Sequence, residues 1–212
     1  MEQNYVAFTR EMKPTYTILV PTMLPLHFRI LCQMFKNDGY NAVLLNDRGP
    51  EIAELGLKYV HNDTCYPALL VIGQFMKALQ SGQYDPHKVA LLLFQTGGGC
   101  RASNYISLLR KALANAGMAY VPVIPMGVAG YETHPGFQLS MGQLHKFLYA
   151  LTYGDLLMSL THQLRPRELH PGDADALADR WTDRIVAELD GARRISYPKI
   201  RKNYDRILAD FA

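Results

Sequence analysis

The sequence VALLLF, at Val89–Phe94, restricts the choice of fold more than any other part of the chain. Six consecutive apolar residues leave no polar face, and a strand of this kind is buried on both sides. Such strands lie in the middle of parallel sheets that are covered by helices. The run therefore predicts an α/β fold in which this segment is a central strand.

Strand-like and helix-like segments alternate on either side of this run. The predicted strands are residues 15–21, 40–45, 89–94 and 120–124, and the predicted helices are residues 24–38, 50–60, 67–80 and 103–116. Strands separated by helices are joined by right-handed crossovers and form a parallel sheet. We expect an α/β, Rossmann-like three-layer fold with a parallel sheet of about four strands and a ligand site at their carboxyl ends.

The chain beyond residue 125 has mainly helical patterns. They cover residues 141–164, 173–189 and 197–211, so we expect a lead-in at 1–14, the α/β domain at 15–165 and a helical extension at 166–212. In the helix at 173–189, Ala176, Leu177, Trp181 and Ile185 are expected to form the buried stripe. The extension would then pack around the only tryptophan of the chain.

The charge balance and the cysteine content exclude several classes of protein. The 22 Lys and Arg residues exceed the 19 Asp and Glu residues too slightly to indicate a nucleic-acid-binding protein. The apolar runs are far shorter than the ~20 residues that span a bilayer, and residues 1–14 lack the apolar core of a secretory signal. Cys32, Cys65 and Cys100 do not indicate a disulfide framework. We therefore expect a cytoplasmic protein with reduced thiols and with neither nucleic acid nor membrane as a partner.

The segment TGGGC, at residues 96–100, is the strongest local signal for a binding site. Three glycines allow the backbone to approach a ligand, and their successive amides can form an anion nest that suits phosphates and iron–sulfur clusters. The segment lacks the patterns of a P-loop and of a dinucleotide-binding motif. The alternative is a tight turn that serves only packing.

The three cysteines differ in their predicted surroundings. Cys65 and Cys100 each precede a predicted helix, where the positive end of the helix dipole favours a thiolate. They could converge on a metal at one edge of the sheet, with their Cα atoms within ~12 Å of each other. The alternative is that each is a small buried residue. Cys32 lies beside Leu31 in an amphipathic helix and is assigned to packing.

The other ionisable residues form no recognisable catalytic motif. The seven histidines contain no closely spaced metal-binding pair, and neither Asp63 nor Glu132 has an identifiable partner in the sequence. No nucleophile–base motif is present. The prediction of a site thus depends on TGGGC and the cysteines.

Four stretches of the sequence carry a resemblance to a known family. They are PTMLPLHFRIL (21–31), GLKYVHNDTCYPALLVIGQ (56–74), QTGGGCRASNYISLLRKAL (95–113) and YGDLLM (153–158). These stretches resemble the large proteins related to 2-hydroxyacyl-CoA dehydratases and their activators, often labelled CoA-substrate-specific enzyme activases. NDTCYPA and QTGGGCRASNY are the most specific motifs. Dehydratase-like modules of this family have Rossmann-like folds and hold iron–sulfur clusters through cysteines at strand ends.

The resemblance implies roles for individual residues. Cys65 and Cys100 would be metal ligands of an iron–sulfur cluster, of the 4Fe–4S or a related type. Glycine amides would bond to cluster sulfides, and neighbouring polar residues would support the ligands or face the substrate. The implied cofactor-binding residues are Gly97, Gly98, Gly99, Thr64, Arg101 and Asn104.

The resemblance also implies a function and its partners. It indicates an iron–sulfur module of an ATP-activated, low-potential reductase system, with an ATP-dependent activator and an acyl-CoA or other small-molecule substrate. The relatives carry activase modules that match no part of this chain, and they continue beyond the position that matches Ala212. We therefore expect a further dehydratase-like domain, a partner subunit or a homodimer to complete the site, and no turnover by this chain alone.

Two other functions fit the same residues. The first is a binding or scaffolding domain of the same assembly that holds no cluster. The second is an enzyme that binds the phosphate or CoA part of its substrate with the TGGG loop. Iron content separates the cluster-binding function from both of these.

Overall fold

The computed structural model describes residues 5–95, 104–127, 132–189 and 196–212. The strands are β1 (Thr17–Pro21), β2 (Asn41–Leu45), β3 (Val89–Phe94) and β4 (Val123–Met126). The helices are α1 (Pro25–Asn37), α2 (Pro50–Tyr59), α3 (Tyr66–Gln80), α4 (Tyr105–Asn115), α5 (Met141–Leu164), α6 (Asp173–Leu189) and α7 (Tyr197–Asp210). The sequence-based boundaries of the helices agree with these to within two residues at each end.

The four strands form a parallel sheet in the order β2-β1-β3-β4. Leu19 of β1 pairs with Val43 of β2 and with Leu91 of β3, and Leu91 pairs in turn with Val123 of β4. The prediction of a Rossmann-like α/β fold with a parallel sheet is confirmed. The prediction that β3 is a central strand is also confirmed, because β3 lies between β1 and β4.

The fourth strand begins later than the sequence predicted. The prediction was residues 120–124, whereas β4 is Val123–Met126. The ring of Tyr120 instead stacks on the ring of His87, with 4.4 Å between the ring centroids. The Val121 N–H closes a turn by donating to the Met118 carbonyl oxygen at 3.0 Å, so the strand begins after it, although an aromatic residue next to Val121 is typical of a strand.

Helices α3 and α4 pack on the sheet through one continuous apolar cluster. Ile72 and Phe75 of α3 and Leu109 of α4 are fully buried together with Leu91 and Leu93 of β3. Burial of such side chains is the main favourable contribution to folding. The cluster thereby fixes both helices on the strand that leads into the TGGGC segment.

Helices α2 and α3 approach each other so closely that their crossing requires glycine. A Cβ atom built on Gly56 would collide with the carbonyl oxygen of Leu69, and one built on Gly73 would collide with the carbonyl oxygen of Ile52. The two helix backbones are therefore in direct contact. This contact fixes α3 relative to α2.

The described residues form two compact units. The sheet unit comprises Met1–Met23 and Gly39–Gln138, and the helical unit comprises Leu24–Asp38 and Leu139–Ala212. The sequence placed α1 and α5 in the α/β domain, with an extension from residue 166, whereas the structure groups both helices with α6 and α7. The physical reason is side-chain packing, since the ring of Phe35 in α1 contacts that of Phe147 in α5 at 5.9 Å between centroids.

Helix α6 buries a stripe that overlaps the predicted one only in part. Trp181 and Ile185 are buried as predicted, with 3% and 2% of their surfaces exposed. Ala176 is exposed and Leu177 is half-buried, so the prediction for Ala176 is wrong. The stripe instead continues towards the helix start through Ala178 and Ala174, because residues 174, 178, 181 and 185 share one helix face.

In the part of the chain that the structure describes, no helix is both long enough and apolar enough to cross a bilayer.

Candidate functional site

The strand order identifies one position in the sheet where a ligand site is favoured. The chain passes from β1 to β2 on one side and then to β3 on the other side of β1. In open parallel sheets, ligands bind at the carboxyl ends of the strands where the order reverses in this way. Here that position lies between the ends of β1 and β3, and the TGGGC segment follows β3 directly.

A buried glutamine binds the backbone just after β1. The side chain of Gln74, in α3, accepts a hydrogen bond from the Thr22 backbone N–H at 2.9 Å and donates one to the Thr22 carbonyl oxygen at 3.1 Å. Gln74 is only 6% exposed. This two-point contact fixes the end of β1 relative to α3. No local sequence pattern indicates this contact, because the two residues are 52 positions apart.

Cys65 lies at the N-terminus of α3 and is half-buried. Its carbonyl oxygen accepts hydrogen bonds from the Ala68 N–H at 2.9 Å and from the Leu69 N–H at 3.3 Å, which begin the helix. Its Sγ atom is 3.0 Å from the hydroxyl oxygen of Tyr105, which is the first residue of α4 and is 5% exposed. The predicted position of Cys65, just before a helix, is confirmed, and its thiol adjoins the start of a second helix.

The other predicted site residues lie close to Cys65 or outside the described residues. Thr64 precedes Cys65, and its N–H donates a hydrogen bond to the His61 carbonyl oxygen at 3.0 Å. Asn104 is exposed and immediately precedes α4, next to Tyr105. The predictions for Gly97, Gly98, Gly99, Cys100 and Arg101 fall on residues 96–103, which lie outside the described residues, so the separation of Cys65 and Cys100 stays a prediction.

Cys32 has the surroundings of a packing residue, as predicted. It is 4% exposed within α1. Burial raises the pKa of its thiol to about 11, which keeps the thiol protonated at neutral pH. A protonated, buried thiol is a poor metal ligand. The packing role assigned to Cys32 is therefore confirmed.

Within the described ranges, no group of three or more His, Cys, Asp and Glu side chains is arranged to hold a metal ion. Ligation of a metal by Cys65 therefore stays a prediction, because Cys100, its predicted partner, lies outside the described residues.

A second polar cluster joins α4 to the segment after β4. The Arg110 guanidinium donates two hydrogen bonds of 2.6 Å to the carboxylate of Glu132 and one of 3.3 Å to the carbonyl oxygen of Val123. The Nδ1 atom of His134 accepts a hydrogen bond from the Phe8 N–H at 3.0 Å. In the neutral imidazole the proton is therefore on Nε2, which donates to Glu132 at 3.3 Å.

The charges of this cluster follow from its contacts. Burial opposes the ionised form of Glu132, but the hydrogen bonds and charge of Arg110 outweigh it and lower the pKa of the carboxyl group. Burial lowers the pKa of His134, against the opposite effect of Glu132. Sequence reasoning found no partner for Glu132, and here the structure corrects it. Arg110 is 22 positions away, so no local pattern could have revealed the pair.

Comparisons of the chain with protein-family models, with curated proteins and with solved structures gave no match.

Proposed function

We propose that the chain is an iron–sulfur cluster-binding module of a 2-hydroxyacyl-CoA dehydratase-like, ATP-activated reductase system, with Cys65 and Cys100 as metal ligands. The observation that supports this most directly is the position of the Cys65 thiol, 3.0 Å from Tyr105 at the start of α4. Cys100 is five residues before Tyr105 in the sequence, and five extended residues span at most about 18 Å. The intervening chain is short enough for both thiols to reach one cluster.

The surroundings of Cys65 are suited to a negatively charged group. The thiol lies at the N-terminus of a helix of 15 residues, where the helix dipole favours negative charge. The Tyr105 hydroxyl can donate a hydrogen bond to a ligating sulfur, and hydrogen bonds of this kind adjust the reduction potential of a cluster. Both features agree with a thiolate that ligates iron.

The remaining residues have supporting roles in this proposal. The amides of Gly97, Gly98 and Gly99 bond to cluster sulfides. Thr64, Arg101 and Asn104 support the ligands or face an acyl-CoA or other small substrate. A bound cluster supplies one-electron transfer at low potential.

The proposal includes partners and a location. A further dehydratase-like domain, a partner subunit or a second copy of the chain supplies the remaining ligands, and a separate activator hydrolyses ATP. We place the protein in the cytoplasm, since reduced thiols and low-potential clusters persist there.

Anaerobic reconstitution tests the proposal. The full chain is incubated with ferrous iron and sulfide and desalted, and iron, sulfide and visible absorbance are measured per folded chain. We expect the wild type to retain iron and sulfide, Cys65→Ser to lose most of both, and Cys32→Ala to match the wild type, since a hydroxyl ligates iron poorly. Equal iron in the wild type and Cys65→Ser would contradict ligation by Cys65, and no iron in the wild type would contradict a cluster held by copies of this chain alone.

The same preparations distinguish the other two functions. A rise in melting temperature with CoA esters, without retained iron, would indicate a CoA- or phosphate-binding role for the TGGG loop. No iron and no thermal response would indicate a scaffolding domain.

A further inference from the structure

A cleft beside β4 is separate from the proposed cluster site and has its own chemistry. We name it the β4 cleft; its volume is about 540 Å³, within the range of small-molecule sites. None of its lining residues belongs to the proposed cluster site. The lining residues include Tyr5, Val6, Arg110, Lys111, Val121 and Val123.

The charged groups of the β4 cleft are positive. Among the described residues that line it, Arg110 and Lys111 are basic and none is acidic. The charge of Arg110 is balanced by Glu132, whereas Lys111 forms no ion pair with any described residue. The cleft therefore carries a net positive charge at Lys111, next to an apolar floor formed by Val6, Ala114 and Ala119, whose side chains are exposed or half-buried.

The Arg110 side chain is held in place but is not saturated with hydrogen bonds. A guanidinium has five N–H donors, and those of Arg110 make three hydrogen bonds to described residues, two with Glu132 and one with Val123. Its remaining donors are the Nε–H and one Nη1–H. A fixed guanidinium with free donors binds an anion without losing much side-chain entropy.

The wall opposite α4 is also fixed. The Tyr5 ring lies 5.3 Å from the Arg110 guanidinium carbon, and its hydroxyl accepts a hydrogen bond from the Thr133 N–H at 2.8 Å. Three residues further on, the Phe8 N–H donates to His134. The N-terminal segment thus contributes an ordered aromatic wall, so the cleft is formed before any ligand binds.

We propose that the β4 cleft binds a small organic anion, with an apolar chain against Val6 and Ala114 and a carboxylate or phosphate group at Lys111 and Arg110. The apolar floor supplies burial, and the two cations select for negative charge. A neutral compound of the same length makes the apolar contact but not the ionic one, and binds more weakly.

Titration calorimetry of the full chain with three probes tests this proposal. Hexanoate and hexyl phosphate carry the two anionic groups, and hexanol is the neutral control. We expect at least one anion to bind about five-fold or more tightly than hexanol, as an ion pair at a partly exposed site implies. The tighter of the two anions identifies the preferred group. Binding of neither anion, or equal binding of hexanol and both anions, would overturn the proposal.

Two variants and a control locate the binding. Lys111→Gln should lower the affinity for the anions to that for hexanol, and Ala114→Phe, whose exposed side chain borders the cleft, should abolish binding of all three. Lys88→Gln changes an exposed lysine elsewhere in the sheet unit and should leave the affinity unchanged. Melting temperatures confirm that each variant is folded. Unchanged affinity in Lys111→Gln, or binding retained in a folded Ala114→Phe, would show that the anions bind elsewhere.

Discussion

In the sheet unit, α2 and α3 meet backbone to backbone at Gly56 and Gly73, whereas in the helical unit α1 and α6 meet through charged side chains. There, Arg29 pairs with both Asp179 and Asp183. Contacts between backbones tolerate almost no added volume, while pairs of partly exposed charges contribute little to stability. The two units should therefore respond differently to substitution.

The buried polar residues are also distributed unevenly between the two units. The helical unit holds four of the six such residues in the described part of the chain, His27, Thr161, Thr182 and Asn203. Each contacts its own unit; Asn203, for example, donates to the carboxylate of Glu188 at 2.8 Å. In the sheet unit, Cys65 is only half-buried at the start of a helix. His27, bonded to Asp155 of α5, and Asn203 thus join helices of the helical unit, whereas the half-buried thiol of Cys65 borders the candidate site of the sheet unit.

The largest expected effect is in the helical unit, at Trp181. The ring is 3% exposed, and its Nε1 donates a hydrogen bond of 3.0 Å to Asp210 of α7. Trp181→Ala should lower the free energy of unfolding by about 3–5 kcal/mol, through the cavity it leaves. Urea denaturation followed by circular dichroism measures this. Trp181→Phe, which keeps most of the volume, should cost clearly less, and a loss below about 1 kcal/mol in Trp181→Ala would mean that the ring contributes little packing.

The next effect is in the sheet unit, at the crossing of α2 and α3. Alanine normally stabilises a helix by about 1 kcal/mol relative to glycine. In Gly73→Ala the added methyl group would meet the Ile52 carbonyl oxygen, which cannot move aside without separating the helices. We expect destabilisation of about 3 kcal/mol, as for an overpacked core.

Gly142→Ala is the matched control for this glycine. Its Cβ would have the Ser140 Oγ atom as its nearest neighbour, at 3.8 Å, which is an ordinary contact. We expect a small gain in stability. A gain in Gly73→Ala as well would show that the α2–α3 crossing can open, and would remove the contrast between the units.

Cys32 lies in the helical unit and Cys65 in the sheet unit, so substitutions of the two cysteines allow a direct comparison of the units. Cys32→Ser places a hydroxyl among buried apolar side chains of the helical unit and should cost about 1–3 kcal/mol. Cys65→Ser keeps a group that can bond to Tyr105 at a half-buried position, and should change stability by less than about 0.5 kcal/mol. Denaturation of the metal-free proteins gives both values. Similar losses in the two variants would contradict the packing role of Cys32.

The smallest effect is a dependence of stability on pH through His134. Because burial lowers its folded pKa below the ordinary 6.5, the unfolded chain binds a proton first as the pH falls. The stabilising contribution is complete above pH 6.5 and is lost as the pH falls through the folded pKa, at no more than about 1.4 kcal/mol per pH unit. The folded pKa of Glu132 is lowered from 4.5, so stability falls further as the pH drops below 4.5.

Urea denaturation at a series of pH values measures the two steps. In His134→Gln the step that begins near pH 6.5 should disappear, while the step below pH 4.5 should remain. An unchanged upper step in His134→Gln would assign it to another histidine.

Features that depend on local sequence were predictable, and contacts between distant residues were not. A short run of consecutive apolar residues such as Val89–Phe94 predicts a buried strand directly. Helix α5 buries Phe147 and Ala150 but exposes Leu144 and Leu148, so its sequence gave no single face from which to infer its neighbours. The contact of Cys65 with Tyr105 joins residues 40 positions apart. The position of each at a helix start was predictable, but their approach depends on the packing of α3 and α4.

The hydrogen bond from Arg110 to Val123 also affects how the molecule meets other chains. The carbonyl oxygens of Pro122 and Met126 accept hydrogen bonds from the N–H groups of Leu91 and Gln95. Because the backbone groups alternate in direction along a strand, those of Val123 and Pro125 point to the outer edge of the sheet. The Val123 carbonyl oxygen already accepts a hydrogen bond from Arg110, and Pro125 has no backbone N–H donor. An incoming strand would therefore find too few partners to extend the ladder, which protects this edge against aggregation.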